Sequence, residues 1–289
     1  MVCPSCGRRV NEGSQWCPYC GTQIPKAPQQ SYPAPPVPPQ GSYQPPSGYQ
    51  APPGGYPPPA GVGGPGIQGI VQDRVRTDEI LNPGLYFALI IVGWIVGVAL
   101  SMVSFVFFWI YTVVIAFVVY KMINRMNLHS QREAALRGSI IQYFRDKASA
   151  DPSVGQKISA QIATMESIQY DAQNQEREQN AILWAILSVI IPFLFLYPLY
   201  FLTKYSSGHD RRWHAFTQQA QYAGQQIGMS IVLPSWRTLP DRSFFLYLIL
   251  TIVTFGLFGI YWFYVLLKDL NEHFPVQWQF EDQFVREMR

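Results

Sequence analysis

Apolar residues in this sequence gather into three long blocks, separated by polar stretches with helical spacing. The first block, Leu85 to Tyr120, runs for thirty-six residues without Asp, Glu, Lys, Arg, His, Asn or Gln. A hydrocarbon core of about 30 Å takes roughly 20 apolar residues as a helix, so this block can cross twice. Ala181 to Leu202 and Phe244 to Leu267 are also free of charge, each long enough for one crossing and too short for two. All three end in aromatics followed by a lysine (Lys121, Lys204, Lys268), as at a membrane interface. The expected fold is mainly α: a multi-pass helical protein of the cell membrane, with the lipid bilayer as its first partner.

Between the blocks the spacing changes from continuous to amphipathic. Asn124 to Asn180 reads as two helices, with Asp151-Pro152 as cap and first-turn proline of the second. Val154, Ile158, Ile162, Met165, Ile168 and Ala172 then recur every three or four residues. That stripe is expected to lie on Leu136, Ile140, Tyr143 and Phe144 in a cytoplasmic helical hairpin; a partner-binding coiled coil is the sharper alternative. Trp213, Phe216, Tyr222 and Ile227, and later Trp278, Phe280 and Phe284, suggest short helices lying in the interface.

The block ends superimpose. Tyr120, Tyr200 and Tyr264 close them, and His129, His209 and His273 each follow nine residues later. Three diverged copies of one unit account for this: an apolar block, a Tyr-Lys interface, then a polar helix. The simpler role for the histidines is as interfacial cations just past the C-terminal ends of membrane helices. The alternative is convergence on a second site that binds metal or senses pH. In the third block, Thr254-Phe255-Gly256-Leu257-Phe258-Gly259-Ile260-Tyr261-Trp262-Phe263-Tyr264 resembles the T-x-G-x-Y-x-I-Y-W-x-Y signature of an uncharacterised family of small prokaryotic membrane domains, often fused to zinc ribbons. The resemblance covers roughly residues 241–275 and departs at Phe258, where a Tyr is usual. It implies membrane residence and a bend at the glycines, and carries over no catalytic residue.

Every polar segment is basic, so none looks external by the positive-inside rule. The first block meets that rule by crossing twice. The other two meet it as re-entrant hairpins broken at Pro192 and at Gly256 to Gly259, which the charge rule favours; otherwise Lys204 to Arg242 lies outside.

The first quarter differs in composition and holds all four cysteines. Cys3-Pro4-Ser5-Cys6-Gly7 and Cys17-Pro18-Tyr19-Cys20-Gly21 are two C-P-x-C-G knuckles, the thiolate set of a closed structural zinc site. Residues 1–24 resemble the short zinc-ribbon modules of many prokaryotic proteins, with iron the alternative ion. The knuckles imply a reducing, cytoplasmic setting for this end, and with no signal peptide before them the first apolar run is expected to stay as an anchor. From Pro25 to about Gly69 follows a Pro/Gly/Gln/Ser/Tyr stretch with one charge, Lys26, expected to be a disordered spacer. The divisions expected are therefore 1–24 ribbon, 25–72 linker, 73–123 membrane hairpin, 124–180 cytoplasmic hairpin, and 181–240 and 241–289 as the second and third membrane units. A net charge of +3 gives no case for nucleic acid, and no nucleophile constellation, paired carboxylates or phosphate loop points to an enzyme. The function expected is a membrane-anchored zinc-ribbon scaffold, adaptor or regulator at the cytoplasmic face. A protein partner would bind through the ribbon or the 124–180 helices, and homo-oligomerisation stays open. The alternative is a small transporter or channel built from broken helices.

Overall fold

The structure is a computed structural model that describes residues 66–104 and 108–288. The ribbon with Cys3, Cys6, Cys17 and Cys20, and the spacer up to residue 65, lie outside the described residues. Among those residues all regular structure is helical: α1 (Ile67–Gln72), α2 (Arg74–Thr77), α3 (Pro83–Ser101), α4 (Phe108–Ala150), α5 (Pro152–Gln175), α6 (Ala181–Ile190), α7 (Leu196–Gln226), α8 (Phe244–Val253) and α9 (Leu257–Glu287).

Three apolar hairpins organise them: α3 with α4, α6 with α7, and α8 with α9. Each opens on a side-chain cap, Asn82, Asn180 or Ser243, which accepts from the backbone N–H three residues on. The two shorter blocks are then broken by local chemistry. Pro192 stops α6 and starts a single 3-10 turn, Pro192–Phe195. At the other break Gly256 adopts φ 92° and its N–H returns to the carbonyl of Thr251, with Phe255 also left-handed at φ 51°. α6 and α8 have ten residues each, about 15 Å of helix and half a hydrocarbon core, whereas α3 has nineteen, about 28 Å. Among the described residues two helices are long and apolar enough to cross a membrane, α3 and, over Trp109–Ala150, α4.

The second arm of every hairpin carries on well past its apolar block. α4 runs unbroken to Ala150, α7 to Gln226, and α9 to Glu287 through Pro275. This corrects three expectations. The histidines do not follow helix ends; they sit in mid-helix, so no helix dipole explains them. The membrane and polar hairpins of the first unit share one helix rather than dividing at residue 124. Trp213, Phe216, Phe280 and Phe284 are fully buried in α7 and α9 instead of floating in short interfacial helices, because their three- and four-residue spacing meets protein, not lipid. A fourth difference is that residues 67–72 of the stretch read as linker form α1, whose Ile70 and Val71 are buried.

Two apolar cores result. One joins the hairpins through Ile90, Val118, Val119, Ile123, Leu199, Trp262, Leu267 and Phe274. The other fills the polar body, where Ile158, Ile162 and Met165 of α5 meet Leu136, Ile140 and Phe144 of α4 and the buried aromatics of α7 and α9. Outward, the hairpins present apolar side chains: Ile182, Ile186, Ile190 and Phe193 on the second, Phe245, Ile249, Ile252, Val253 and Phe255 on the third.

The hairpins are also clasped in cyclic order, each by a residue two positions before its histidine. Asn127 exchanges two hydrogen bonds with the backbone of Gln179, just before the cap of the second hairpin. Ser207 donates to Asp241, just before the third. Asn271 exchanges two with the backbone of Leu81, just before the first.

Close approach of α3 and α4 depends on Gly93 and Gly97. A Cβ at Gly97 would lie 2.9 Å from Cβ of Tyr111, too near for any rotamer change to relieve. Gly97→Leu is therefore expected to splay the first hairpin and cost about 1–3 kcal/mol, read as a lowered melting temperature in detergent. The equivalent change at Gly66, whose Cβ would meet nothing, should leave the melting temperature unaltered.

Candidate functional site

A layer of buried polar side chains separates the two cores. At its centre stand the three repeat histidines, all essentially without solvent exposure, contributed by α4 (His129), α7 (His209) and α9 (His273). Their rings meet edge to face, with centroids 4.9–5.6 Å apart. The three rings thus meet in the interior instead of standing apart at separate helix ends.

One turn beyond His129 on the same face of α4 is Glu133, also fully buried. Its Oε2 lies 2.9 Å from Nε2 of His209 and 3.3 Å from Nε2 of His129, and finds no hydrogen-bond donor among the described residues. The two Nε2 atoms are themselves 3.0 Å apart. One ligand atom from each of His129, Glu133, His209 and His273 can be chosen so that all lie within 4.8 Å of one another.

Behind every ring stands a carboxylate. His129 Nδ1 is 2.9 Å from Asp78 Oδ1, His209 Nδ1 is 3.1 Å from Glu176 Oε1, and His273 Nδ1 is 2.8 Å from Asp210 Oδ1. The local sequence explains these positions. Asp78 and Glu176 each stand four residues before a hairpin cap, Asn82 and Asn180. In the third unit that place is Leu239, whose backbone N–H donates to Asp210. Trp236 Nε1 donates to Asp210 as well, and Trp278 Nε1 to Asp78.

Guanidinium groups tie the outer layer together. Arg132 joins Asp78 and Glu281 at 2.7 and 2.8 Å; Arg137 joins Glu133 and Glu176; Arg212 reaches Glu176 at 2.8 Å. Burial pushes His129 and His273 down to about 4, against the pull of their carboxylates, so both rings are neutral at pH 7. Burial pushes Asp78 up, but His129, Arg132 and the Trp278 N–H outweigh it and hold that carboxyl below the usual range. Glu176 is held well below its ordinary value: burial opposes this, and His209, Arg137 and Arg212 prevail. Glu281 is raised by burial.

Sequence spacing brings the three histidines into view, while Glu133, Asp78, Glu176 and Asp210 pass unnoticed in it. His129-x-x-x-Glu133 was a usable signal, since four residues place both side chains on one helix face. Asp78 and Glu176 gain meaning only once the caps they precede fold back on the helices.

Residues 242–279, which are α8 and most of α9, match the model of a domain of unknown function (DUF4234). No curated protein and no solved structure matches the chain.

Proposed function

We propose that this chain is a membrane-anchored scaffold, adaptor or regulator whose polar body works on one face of the bilayer, the cytoplasmic one. The supporting observation is the shared direction of the three hairpins. Their caps, lysines and continuing helices lie at one end, and their tips expose apolar groups such as Val103, Phe193 and Phe255. An apolar surface of that extent belongs in lipid. With α6 and α8 only half a hydrocarbon core long, those two hairpins enter and return from the same side, which leaves every basic segment where the charge rule wants it. Partner recruitment falls to the zinc ribbon of Cys3, Cys6, Cys17 and Cys20, and to the α4–α5 hairpin. The transporter alternative has less support: α3, α6 and α8 hold no ionisable residue at depth, and the buried ionic layer sits beyond the apolar blocks.

Cysteine accessibility tests the reading. Single cysteines at Ser153, Gln225 and Phe255, in a chain with Cys3, Cys6, Cys17 and Cys20 replaced by Ser, meet an impermeant thiol reagent in cells. Ser153 and Gln225 are exposed in the polar body and should react only after permeabilisation; Phe255 should resist both treatments. Labelling of Gln225 in intact cells would place the segment between the second and third blocks outside and end the one-faced scheme.

A further inference from the structure

The geometry points to a tetrahedral metal centre of the zinc type in the buried layer, held by Nε2 of His129, Nε2 of His209, a ring nitrogen of His273 and Oε2 of Glu133. It does not rest on the scaffold reading and is separate from the four cysteines.

Tautomers carry the first step. A carboxylate only accepts, so the Nδ1 of His129 that faces Asp78 and the Nδ1 of His273 that faces Asp210 hold ring protons. The neutral His129 ring then has its lone pair on Nε2. That lone pair meets Nε2 of His209 across 3.0 Å, with the Glu133 carboxylate oxygen against both nitrogens. Glu133 Oε2 finds no hydrogen-bond donor among the described residues although two ring nitrogens crowd it; a cation at the centre of the three atoms would make every contact attractive.

Dimensions and charge agree. Zinc–nitrogen bonds of about 2.0–2.1 Å in a tetrahedron place neighbouring ligand atoms about 3.3–3.4 Å apart. The three measured separations, 2.9, 3.0 and 3.3 Å, need only a slight opening to reach it. His273 has its Nδ1 on Asp210 and its Nε2 2.9 Å from Oε1 of Gln277, so both of its ring nitrogens face acceptors; on metal binding Nε2 would give up its proton and leave Gln277 for the ion. Around the cluster five buried carboxylates (Asp78, Glu133, Glu176, Asp210, Glu281) face four guanidiniums (Arg74, Arg132, Arg137, Arg212). The layer thus carries more carboxylates than guanidiniums, a surplus that a divalent ion would offset.

Three imidazoles and one carboxylate, each imidazole backed by a carboxylate, suit a borderline divalent ion such as Zn2+ and not Mg2+ or Ca2+. All four positions are filled by protein, so the ion would be a structural tie among the three hairpins. Because each hairpin gives one histidine, the metal completes the cyclic clasp made by Asn127, Ser207 and Asn271.

The test uses the full chain in detergent with Cys3, Cys6, Cys17 and Cys20 changed to Ser, so that the ribbon cannot contribute metal. Elemental analysis should find about one zinc per chain, and Co2+ exchange should give the intense visible bands of a tetrahedral site. Glu133→Gln should remove those bands, and Asp210→Asn should weaken affinity against a chelator about 10–100-fold. His209→Gln serves as a second ligand variant if Glu133→Gln does not fold. A parent protein that is helical by circular dichroism yet takes up neither Zn2+ nor Co2+ would overturn the assignment, leaving a proton-bridged polar core. Variants that bind as tightly as the parent would overturn the ligand set.

Discussion

Arg132→Ala is expected to yield a chain that is made but not folded. The guanidinium is fully buried and bridges Asp78 and Glu281, which are buried as well. Its removal strands two carboxylates in a layer enclosed by apolar cores, a loss of about 3–5 kcal/mol for breaking a buried pair. That is a large part of the 5–15 kcal/mol that holds a domain together. The effect should spread, since Asp78 also orients His129 and accepts from Trp278. Size-exclusion profiles and protease resistance in detergent would report it. Arg132→Lys should restore part of the loss, because a single ammonium cannot fork between two carboxylates. Arg145→Ala is the control: its partner Glu166 is exposed, and the change should cost under about 1 kcal/mol. Equal behaviour of Arg132→Ala and Arg145→Ala would mean that the buried layer is not structural.

Trp213→Ala should be nearly as severe, for a different reason. Trp213 stands one helical turn after His209, the place that Glu133 holds on α4 and Gln277 on α9. It is fully buried, stacked on Phe216 and edge-on to Phe280 at 5.8 Å. Truncation opens a cavity under the histidines and costs about 3–5 kcal/mol. Its indole Nε1 has no hydrogen-bond partner among the described residues, so Trp213→Phe deletes an unsatisfied donor while keeping a ring. Thermal melts should therefore separate the two changes widely, with Phe close to the parent. Equal losses would show that ring size, not burial of an aromatic, governs the site.

Much of this architecture is visible in the chain before any coordinates. The apolar blocks, the breaks at Pro192 and Gly256, and the α5 stripe follow from periodicity and turn chemistry. The nine-residue step from each closing Tyr to its His marks three equivalent helices. What periodicity cannot report is the medium a helix face meets. Trp213 and Phe280 read equally well as lipid-facing or protein-facing, because aromatic spacing is the same in both. Helix length was hidden for a related reason: a lysine after an apolar block marks the interface, yet α4, α7 and α9 pass it without bending. The outer carboxylates were the least legible part. Asp78 and His129 are fifty-one residues apart, and only the clasp of the hairpins brings them together.

The cyclic clasp also sets a timetable. Asn127 and Gln179 are 52 residues apart, far fewer than the ends of the last link, and can pair as soon as the second hairpin is made. The last link joins Asn271 to Leu81 across 190 residues, so it closes only when synthesis is almost complete. Until then the first two hairpins have an open flank, and Asp78, Arg132 and His129 lack the α9 groups that enclose them. A chain that ends before residue 271 leaves that flank open, with Asp78 and Arg132 uncovered, and should be cut faster by an added protease than the finished ring.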